Sequence, residues 1–391
     1  NSLIAQNTVN KVSADYPLRG GGIANNGALF LLRTQIISNT VSPSAFGAEG
    51  GGFHNGLGAL AELESVAVAL NNAPQGGGIS TGLFGSGVLT LTNSAVFSNT
   101  AGSGGGILNA AELAIVNSTI AGNQATGNGG GLYTAGGAVS LNNVTIADNI
   151  ADSDNDGDSS TDNGGGFYQT GGGAVTVQNS LVAANLDIST GAPDCSAEIG
   201  AITSVGYNLV GAADGCNWVA ATGDVTGTVA SPLDPILGGA QAIGATWVQP
   251  LLTNSPAIDA GNPSAPGSGG AACAATDQLG TVRPLDGDGN GSARCDIGAF
   301  EHATVSTPTA TPTVTPTPTT TPTATATATA TATPTAANTP TATATAAATA
   351  TATQTPTATQ PPTATGTATA TPTSTSTATS TPAPTPTATH T

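Results

Sequence analysis

Two short acidic runs carry the residue types of a cation-binding loop. The runs read DSDNDGD at residues 152–158 and DGDGNG at residues 286–291. Both fit the pattern D-x-[DN]-x-[DN]-G, in which oxygens of alternate residues surround a hard cation and glycine allows the sharp turn. Each run also has an aspartate ten residues after its first aspartate. We therefore predict calcium, the one cofactor that this sequence indicates, at Asp152, Asp154, Asp156 and Asp162 and at Asp286, Asp288, Asn290 and Asp296.

Neither run is a complete EF-hand loop. Such a loop has glutamate at its twelfth position, where this chain has Asn163 and Ile297, and it lies between two helices. A solvated acidic turn without a cation is therefore the alternative interpretation. An extracellular site of this kind would bind calcium weakly, with a Kd on the order of 0.1–1 mM.

All four cysteines lie in one region, between residues 195 and 295. Their even number predicts disulfides, and proximity along the chain favours Cys195–Cys216 and Cys273–Cys295 among the three possible pairings. Each bond would close a loop that contributes about 3 kcal/mol to stability. A tetrathiolate zinc site is the alternative, but the CxxC spacing of such sites is missing. Few large apolar side chains lie between residues 260 and 300, so a disulfide and a cation are predicted to order that segment.

Catalysis on a polysaccharide would need two carboxylates held about 5–9.5 Å apart, or acids beside a basic residue. The first half of the chain has few acids on or beside predicted strands, and its bases lie far from them in sequence. We therefore predict that the protein is not an enzyme. The acids are Glu62, Glu64, Glu112 and Asp148, and the bases are Lys11, Arg19 and Arg33.

A histidine and four aromatic residues follow glycine runs. His54 is predicted to be a loop side chain rather than a ligand. The aromatic residues are predicted to stack in the core or at corners, and a platform for sugar rings is the alternative. They are Phe53, Tyr133, Phe167 and Tyr168.

A repeated motif must position these residues. Stretches such as TNSAVFSN, VNSTIAGN, NNVTIADN and QNSLVAAN each end in asparagine, and a β-branched residue lies three positions before it. Apolar residues recur two apart within each copy, which predicts strands with one buried face. Runs of Gly-Gly-Gly followed by a large apolar residue separate the copies. The terminal asparagines are Asn7, Asn39, Asn71, Asn99, Asn123, Asn149 and Asn185.

These repeats predict an all-β fold, a right-handed parallel β-helix in which each repeat is one coil. Stacked asparagines would then hydrogen-bond to one another as a ladder inside a turn, and the glycines would form a second sharp corner. We predict at least seven coils over residues 1–190, with an eighth at residues 205–208, and a column of Ile36, Val96, Ile120, Ile146 and Val182 in the core. The GGG motif lacks the following basic helix of a phosphate-binding loop.

Three regions follow from the composition. Residues 1–191 are the coils, residues 192–303 close the solenoid, and residues 304–391 are a Thr/Pro/Ala-rich segment with almost nothing large to bury. That last segment is predicted to be a disordered stalk, O-glycosylated or naked. Because the chain starts on a strand without Met, we expect the coils to be truncated. The net charge of −18 disfavours nucleic acid or an anionic membrane as partner, and no apolar run is long enough for a transmembrane helix.

Two stretches near residue 300 resemble a known family. SPAIDAGNP followed by DQLGTVRPLDGDGNGSARCDIGAFE is similar to the choice-of-anchor Q domain, which follows β-helix repeats in bacterial surface proteins. The coils resemble the pectin-lyase-like superfamily. The resemblance implies an exported bacterial protein attached to the cell surface. We therefore expect a non-catalytic structural or adhesin-like protein, outside the cell or on its surface, whose partners are extracellular glycans or other surface components. A carbohydrate-binding module is the first alternative, and a polysaccharide lyase or hydrolase is the second.

Overall fold

The computed structural model describes residues 1–304, except residues 11–17, 43–46, 83–85, 156–162 and 189–190. Every element in that range is a β-strand, and together they build a right-handed parallel β-helix, as the repeats predict. The region predicted to be a stalk lies outside the described residues from residue 305 onwards.

Three parallel sheets form the sides of the solenoid. Strands are numbered in chain order. The largest sheet contains β1 (Ser2–Ala5), β4 (Ala28–Leu32), β5 (Thr34–Ile37), β8 (Leu60–Glu64), β9 (Ala67–Ala69), β12 (Val88–Thr92), β13 (Ala95–Phe97), β16 (Glu112–Ala121), β19 (Val139–Ala147), β22 (Val175–Gln178), β23 (Leu181–Val182), β26 (Ile202–Gly206), β27 (Leu209–Val210), β28 (Trp218–Val219) and β29 (Val225–Thr226).

The other two sheets have seven strands each, one from each coil. The second sheet contains β2 (Thr8–Val9), β6 (Thr40–Val41), β10 (Asn72–Gln75), β14 (Thr100–Ser103), β17 (Gln124–Ala125), β20 (Ile150–Ala151) and β24 (Leu186–Asp187). The third contains β3 (Ile23–Asn25), β7 (Phe53–Asn55), β11 (Ile79–Thr81), β15 (Ile107–Asn109), β18 (Leu132–Thr134), β21 (Phe167–Gln169) and β25 (Cys195–Ala197). A separate antiparallel hairpin consists of β30 (Gln241–Ile243) and β31 (Thr246–Val248).

The core consists of columns of β-branched and leucine side chains. We number the coils from 1 to 7 by the terminal asparagine that each contains. The predicted column is present in unbroken register, because Ile36 pairs with Val68, Val68 with Val96, and so on through the later coils to Val210. Ile36, Ile120 and Ile146 are fully buried. β-Branched side chains suit this pleated, one-sided surface, so the repeat itself specifies the stacking.

The terminal asparagines form a continuous hydrogen-bonded ladder. Each side-chain amide donates to the carbonyl oxygen of the next asparagine, at 2.8–3.0 Å, from Asn7 to Asn185. The same oxygen also accepts the backbone N–H of the previous asparagine, as Asn123 Oδ1 does from Asn99 at 3.0 Å. Every rung therefore accepts from one neighbouring coil and donates to the other.

The ladder ends on an acid. Asp194 Oδ1 accepts the backbone and side-chain N–H groups of Asn185, and its Oδ2 accepts from Ala212 N. A terminal rung has donors on both sides, so it must be an acceptor at both oxygens, which aspartate is and asparagine is not. Burial raises the pKa of Asp194 to about 6.

A shorter second ladder follows the same rule at the neighbouring turn. Ser94 N donates to Ser118 Oγ in the next coil, and Ser180 N donates to Asn208 Oδ1. Asn208 then donates from its backbone and its side chain to Asp224 Oδ1. Asn208 belongs to the eighth coil that the sequence predicts, whose strands β26 and β27 pair with β22 and β23.

Candidate functional site

An acidic group lies at the loop that follows Leu285. Asp259, Asp286 and Asp288 each offer one carboxylate oxygen, and these three oxygens lie within 4.8 Å of one another. The backbone fixes this arrangement, because Asp259 Oδ2 accepts from Gly287 N and Asp288 N at 2.9 and 3.0 Å. Three carboxylates at this spacing could hold a hard divalent cation. The loop borders a cleft of about 520 Å³ whose lining includes Ser255, Asp288 and His302.

The structure therefore brings together two of the four predicted ligands of this loop and adds Asp259. Asp259 comes from the stretch SPAIDAGNP, too far along the chain for any loop motif to include it. Asn290 lies beside the group, and its amide donates to Asp288 Oδ2 at 2.7 Å. Asp296 is buried and turned inwards, where its carboxylate accepts the backbone N–H groups of Asp259 and His302.

Asp296 belongs to a buried charge network with Arg283 and Glu301, and all three residues lie in the stretch DQLGTVRPLDGDGNGSARCDIGAFE. Arg283 Nη1 donates to Glu301 at 2.6 Å, and the guanidinium also donates to the backbone carbonyls of Asp296 and Gly298. Burial, followed by the nearby Glu301 carboxylate, raises the pKa of Asp296 to about 8. Burial also raises the pKa of Glu301. These side chains fix the fold of the C-terminal region, and none of them is exposed to a substrate.

The other acidic run is only partly within the described residues. Asp152 is buried at the end of β20, whereas Asp154 is exposed. Asp156 and Asp162 lie outside the described residues, so the calcium site at residues 152–162 stays a prediction.

Both disulfides have the pairing that proximity favours. Cys195 is bonded to Cys216, and Cys273 is bonded to Cys295. Cys195 lies in β25, so the first bond ties the third sheet to the chain that follows the eighth coil. The second bond joins two segments of the C-terminal region that both contact the solenoid.

The C-terminal region returns over the solenoid and crosses its coils. We call residues 270–278 the axial segment, because they run along the solenoid axis instead of around it. Gln178 and Asn179 of coil 7 donate to Gly270 O and Ala271 O at 3.2 and 3.0 Å. Asn143 of coil 6 accepts from Ala274 N at 2.8 Å.

The same pattern continues on the earlier coils. Asn117 of coil 5 donates to Thr276 O at 2.7 Å. Gln278 accepts from Thr119 Oγ1 of coil 5 at 2.6 Å and donates to Ser94 O of coil 4 at 3.0 Å. The hairpin also contacts coil 4, because the ring of Trp247 in β31 stacks on the ring of Phe97, with centroids 4.6 Å apart. The axial segment therefore spans four coils.

The asparagines that hold the axial segment are not those of the ladder. Asn117, Asn143 and Asn179 lie at the turn before the ladder strand and have positive φ of 46–53°. Asparagine tolerates this left-handed backbone and leaves its amide free for the crossing chain. Residues 260–300 are thus ordered by a disulfide, as the sequence predicts, and also by docking on the coils, which the sequence does not predict.

A shallow groove lies on the outward face of coils 2–4. Its volume is about 280 Å³, and it is lined by Phe30, Glu62, Leu63, Glu64, Thr90 and Thr92. Phe30 is 55% exposed and pairs in register with Glu62 on the next coil. Glu64 lies in the row of Thr92 and Val116, whereas Glu112 lies in the row of Val88. The two acids therefore do not stack.

A buried polar cluster lies on the outward side of the third sheet. His54 Nδ1 lies 2.7 Å from Ser80 Oγ and 3.7 Å from Glu49 Oε2. A nucleophilic relay needs the serine and the acid on different ring nitrogens, and here one nitrogen faces both. Burial, with a contribution from Arg19, lowers the pKa of His54 to about 4. His54 is thus a strand residue in a closed cluster, and its prediction as a loop residue is wrong.

The four aromatic residues divide into two classes. Phe53 and Phe167 are in the core cluster, as predicted. Tyr133 and Tyr168 face outwards as a tilted pair with ring centroids 5.2 Å apart, and the Tyr168 hydroxyl donates to Glu198.

Comparison with known proteins gives no relative from which a role could be transferred. No protein-family model, no curated protein and no solved structure matches this chain. Among the described residues, no helix has the length and apolarity needed to cross a membrane.

Proposed function

We propose that this protein is a non-catalytic β-solenoid that acts outside the cell or on its surface as a rigid structural or adhesin-like element. The observation that carries the proposal is the unbroken ladder from Asn7 to Asp194, which makes seven coils one stiff body with a regular outer face. Two disulfides add support, because such bonds persist in oxidising compartments. The proposal also includes three features that rest on the sequence alone. They are membership of the pectin-lyase-like superfamily, a choice-of-anchor Q domain and a Thr/Pro-rich stalk.

Surface placement has a direct test. Intact cells that make the protein are treated with a protease that cannot enter, and the full chain is followed with an antibody against the solenoid. The proposal expects the solenoid epitope to be released from intact cells or found in the medium. Recovery only from the lysed interior would contradict it.

Carbohydrate binding is the second candidate, and the groove of coils 2–4 favours it. An exposed aromatic ring beside carboxylates and threonine hydroxyls offers a sugar both a stacking face and hydrogen-bond partners. A glycan array with the full chain tests this function. Binding should be lost in Phe30→Ala and kept in the control Leu186→Ala, which removes a side chain of similar exposure, 50%, from another sheet. Equal loss in both variants would exclude the groove.

Calcium remains part of the proposal as a structural cation. Asp259, Asp286 and Asp288 are the residues that would hold it, and its effect would be to stabilise the C-terminal region. A polysaccharide lyase or hydrolase is the least supported candidate. Among the described residues, the aspartate, glutamate and arginine side chains that cluster around Arg283 are buried rather than exposed at the surface.

A further inference from the structure

A solenoid is mechanically weak at its ends. Each coil contacts only its neighbours, so tension on the last coil loads one interface at a time and peels the coils in sequence. The last paired strands here are short, since β28 and β29 each have two residues. A chain that pulls on the C-terminal end through these strands alone would open the solenoid easily.

The axial segment changes how tension would be distributed. Its hydrogen bonds to coils 7, 6, 5 and 4 lie side by side along the solenoid axis. Tension along that axis loads these bonds in shear, so they share the force and must break together. Bonds that are peeled carry the force one after another and break at a lower load.

The second disulfide connects the axial segment to the chain exit. Cys273 lies within the axial segment, and Cys295 directly precedes a second docked stretch, in which Ala299 N donates to Thr145 of coil 6 and Gly298 N donates to Asn179 O of coil 7. Tension that arrives from beyond residue 304 therefore passes through the sulfur atoms to Cys273. Within the loop between the two cysteines, residues 274–278 belong to the axial segment and share the load through their contacts with coils 6, 5 and 4, whereas the intact bond relieves residues 279–294 of tension.

We propose that the axial segment and the Cys273–Cys295 bond form a load-bearing clasp. The clasp takes tension from the C-terminal side and spreads it over coils 4–7, so the solenoid resists extension as one body. This mechanical function would serve a protein tethered at a surface. It is a property of the isolated chain, so it can be tested whether or not the surface location proposed above is correct.

Single-molecule pulling on the full chain tests the clasp without any mutation. Handles are attached to the two chain ends, and traces are recorded with the disulfides intact and again after reduction of the folded protein. We expect reduction to lower the force of the first rupture and to add about 75 Å of contour length, because the 22-residue separation of the cysteines is released at about 3.4 Å per residue. The other bond, with a separation of 21 residues, adds a similar increment later, when its coils open. If rupture force and first contour step are unchanged by reduction, the clasp does not carry load.

A set of variants isolates the docking contacts from the disulfide. Asn117→Gly, Asn143→Gly and Asn179→Gly together remove the amides but keep a residue suited to positive φ. Asn72→Gly, at an exposed position of β10 in the second sheet, is the matched control. We expect the triple variant to rupture at about half the force of the wild type, since three of the six hydrogen bonds described above between the axial segment and coils 4–7 are lost, and the control to rupture at the wild-type force. Circular dichroism before pulling confirms that each variant is folded. A triple variant that is folded and as strong as the control would overturn the proposal.

Discussion

Replacing one rung of the asparagine ladder should cost a large part of the stability. Asn149 is fully buried and lies between two other asparagines. Its Oδ1 accepts the backbone and side-chain N–H groups of Asn123, and its amide donates to Ile120 O and to Asn185 Oδ1, with all four distances at 2.9–3.0 Å. Asn149→Ala removes these four bonds at once and leaves two donors and two acceptors short of a partner in a dry turn.

The expected magnitude follows from those groups. A buried polar group without its partner costs about 1–3 kcal/mol, and acceptors keep a second lone pair for other bonds. Counting the two donors of Asn123, we expect a loss of about 2–6 kcal/mol in the free energy of unfolding. That is a large fraction of the stability of an ordinary domain, about 5–15 kcal/mol.

Urea unfolding of the full chain, followed by far-ultraviolet circular dichroism, measures this loss. Asn72→Ala is the control, because it removes an exposed asparagine from the neighbouring second sheet and should shift the midpoint little. The slopes of the two unfolding curves must agree for the midpoints to be compared. A loss below about 1 kcal/mol for Asn149→Ala, or one equal to the control, would refute the view that the ladder holds the coils together.

Three further outcomes are expected. Ile120→Asp places an unpaired charge in the fully buried column and should prevent folding or lower the melting temperature drastically, whereas a melt at the wild-type temperature would contradict the core assignment. Burial raises the folded-state pKa of Asp194 from 3.8 to about 6 and that of Asp296 to about 8. The stability contributed by each bound proton is complete below the ordinary pKa and lost as pH rises through the folded pKa, so melting temperature should fall from pH 5 to pH 8.5. Between pH 5 and pH 6.5 the lowered pKa of His54 acts in the opposite direction and offsets one of these protons. The free energy of unfolding should fall by about 1.4 kcal/mol per pH unit for each proton. A melting temperature that rises over that range would contradict the assignment. Millimolar calcium should raise the melting temperature relative to EDTA, because binding at ten times Kd adds about 1.4 kcal/mol to the free energy of unfolding, and Asp288→Ala should abolish the difference. An unchanged wild-type midpoint would leave Asp259, Asp286 and Asp288 as plain turn residues.

The coils could be predicted from the sequence because their signals are local and repeated. A β-branched residue at a fixed distance before each asparagine specifies both the strand and its register, and the column of Ile36, Ile120 and Ile146 follows directly. The same repetition predicts the ladder. The end of the ladder cannot be predicted in this way, because Asp194 is a single residue without a repeat and its role depends on the donors of Asn185.

The C-terminal region was harder to predict for a physical reason. Glycine and alanine dominate the axial segment, so its sequence has neither period nor apolar face, and its order comes from amides on other coils. The acidic group was half predicted, since Asp286 and Asp288 belong to one loop while Asp259 reaches it only through the tertiary fold. The loop pattern predicts Asp296 as a ligand, whereas the structure buries its carboxylate beside Arg283.

The axial segment also acts as a ruler for the number of coils beneath it. Its residues meet coils 7, 6, 5 and 4 in fixed order, and each coil advances the stack by about 4.8 Å. Duplication or deletion of one coil within this span would move every later docking amide by that distance, beyond hydrogen-bond reach. Nearer the N-terminus, the hairpin loop at Gly244 and Ala245 lines a cleft together with Arg33 and Ser65, but no hydrogen bond of the axial segment to the described residues of coils 1–3 is present. The hydrogen bonds of the axial segment therefore fix the number of coils from coil 4 to coil 7 and set no such count for the coils before them.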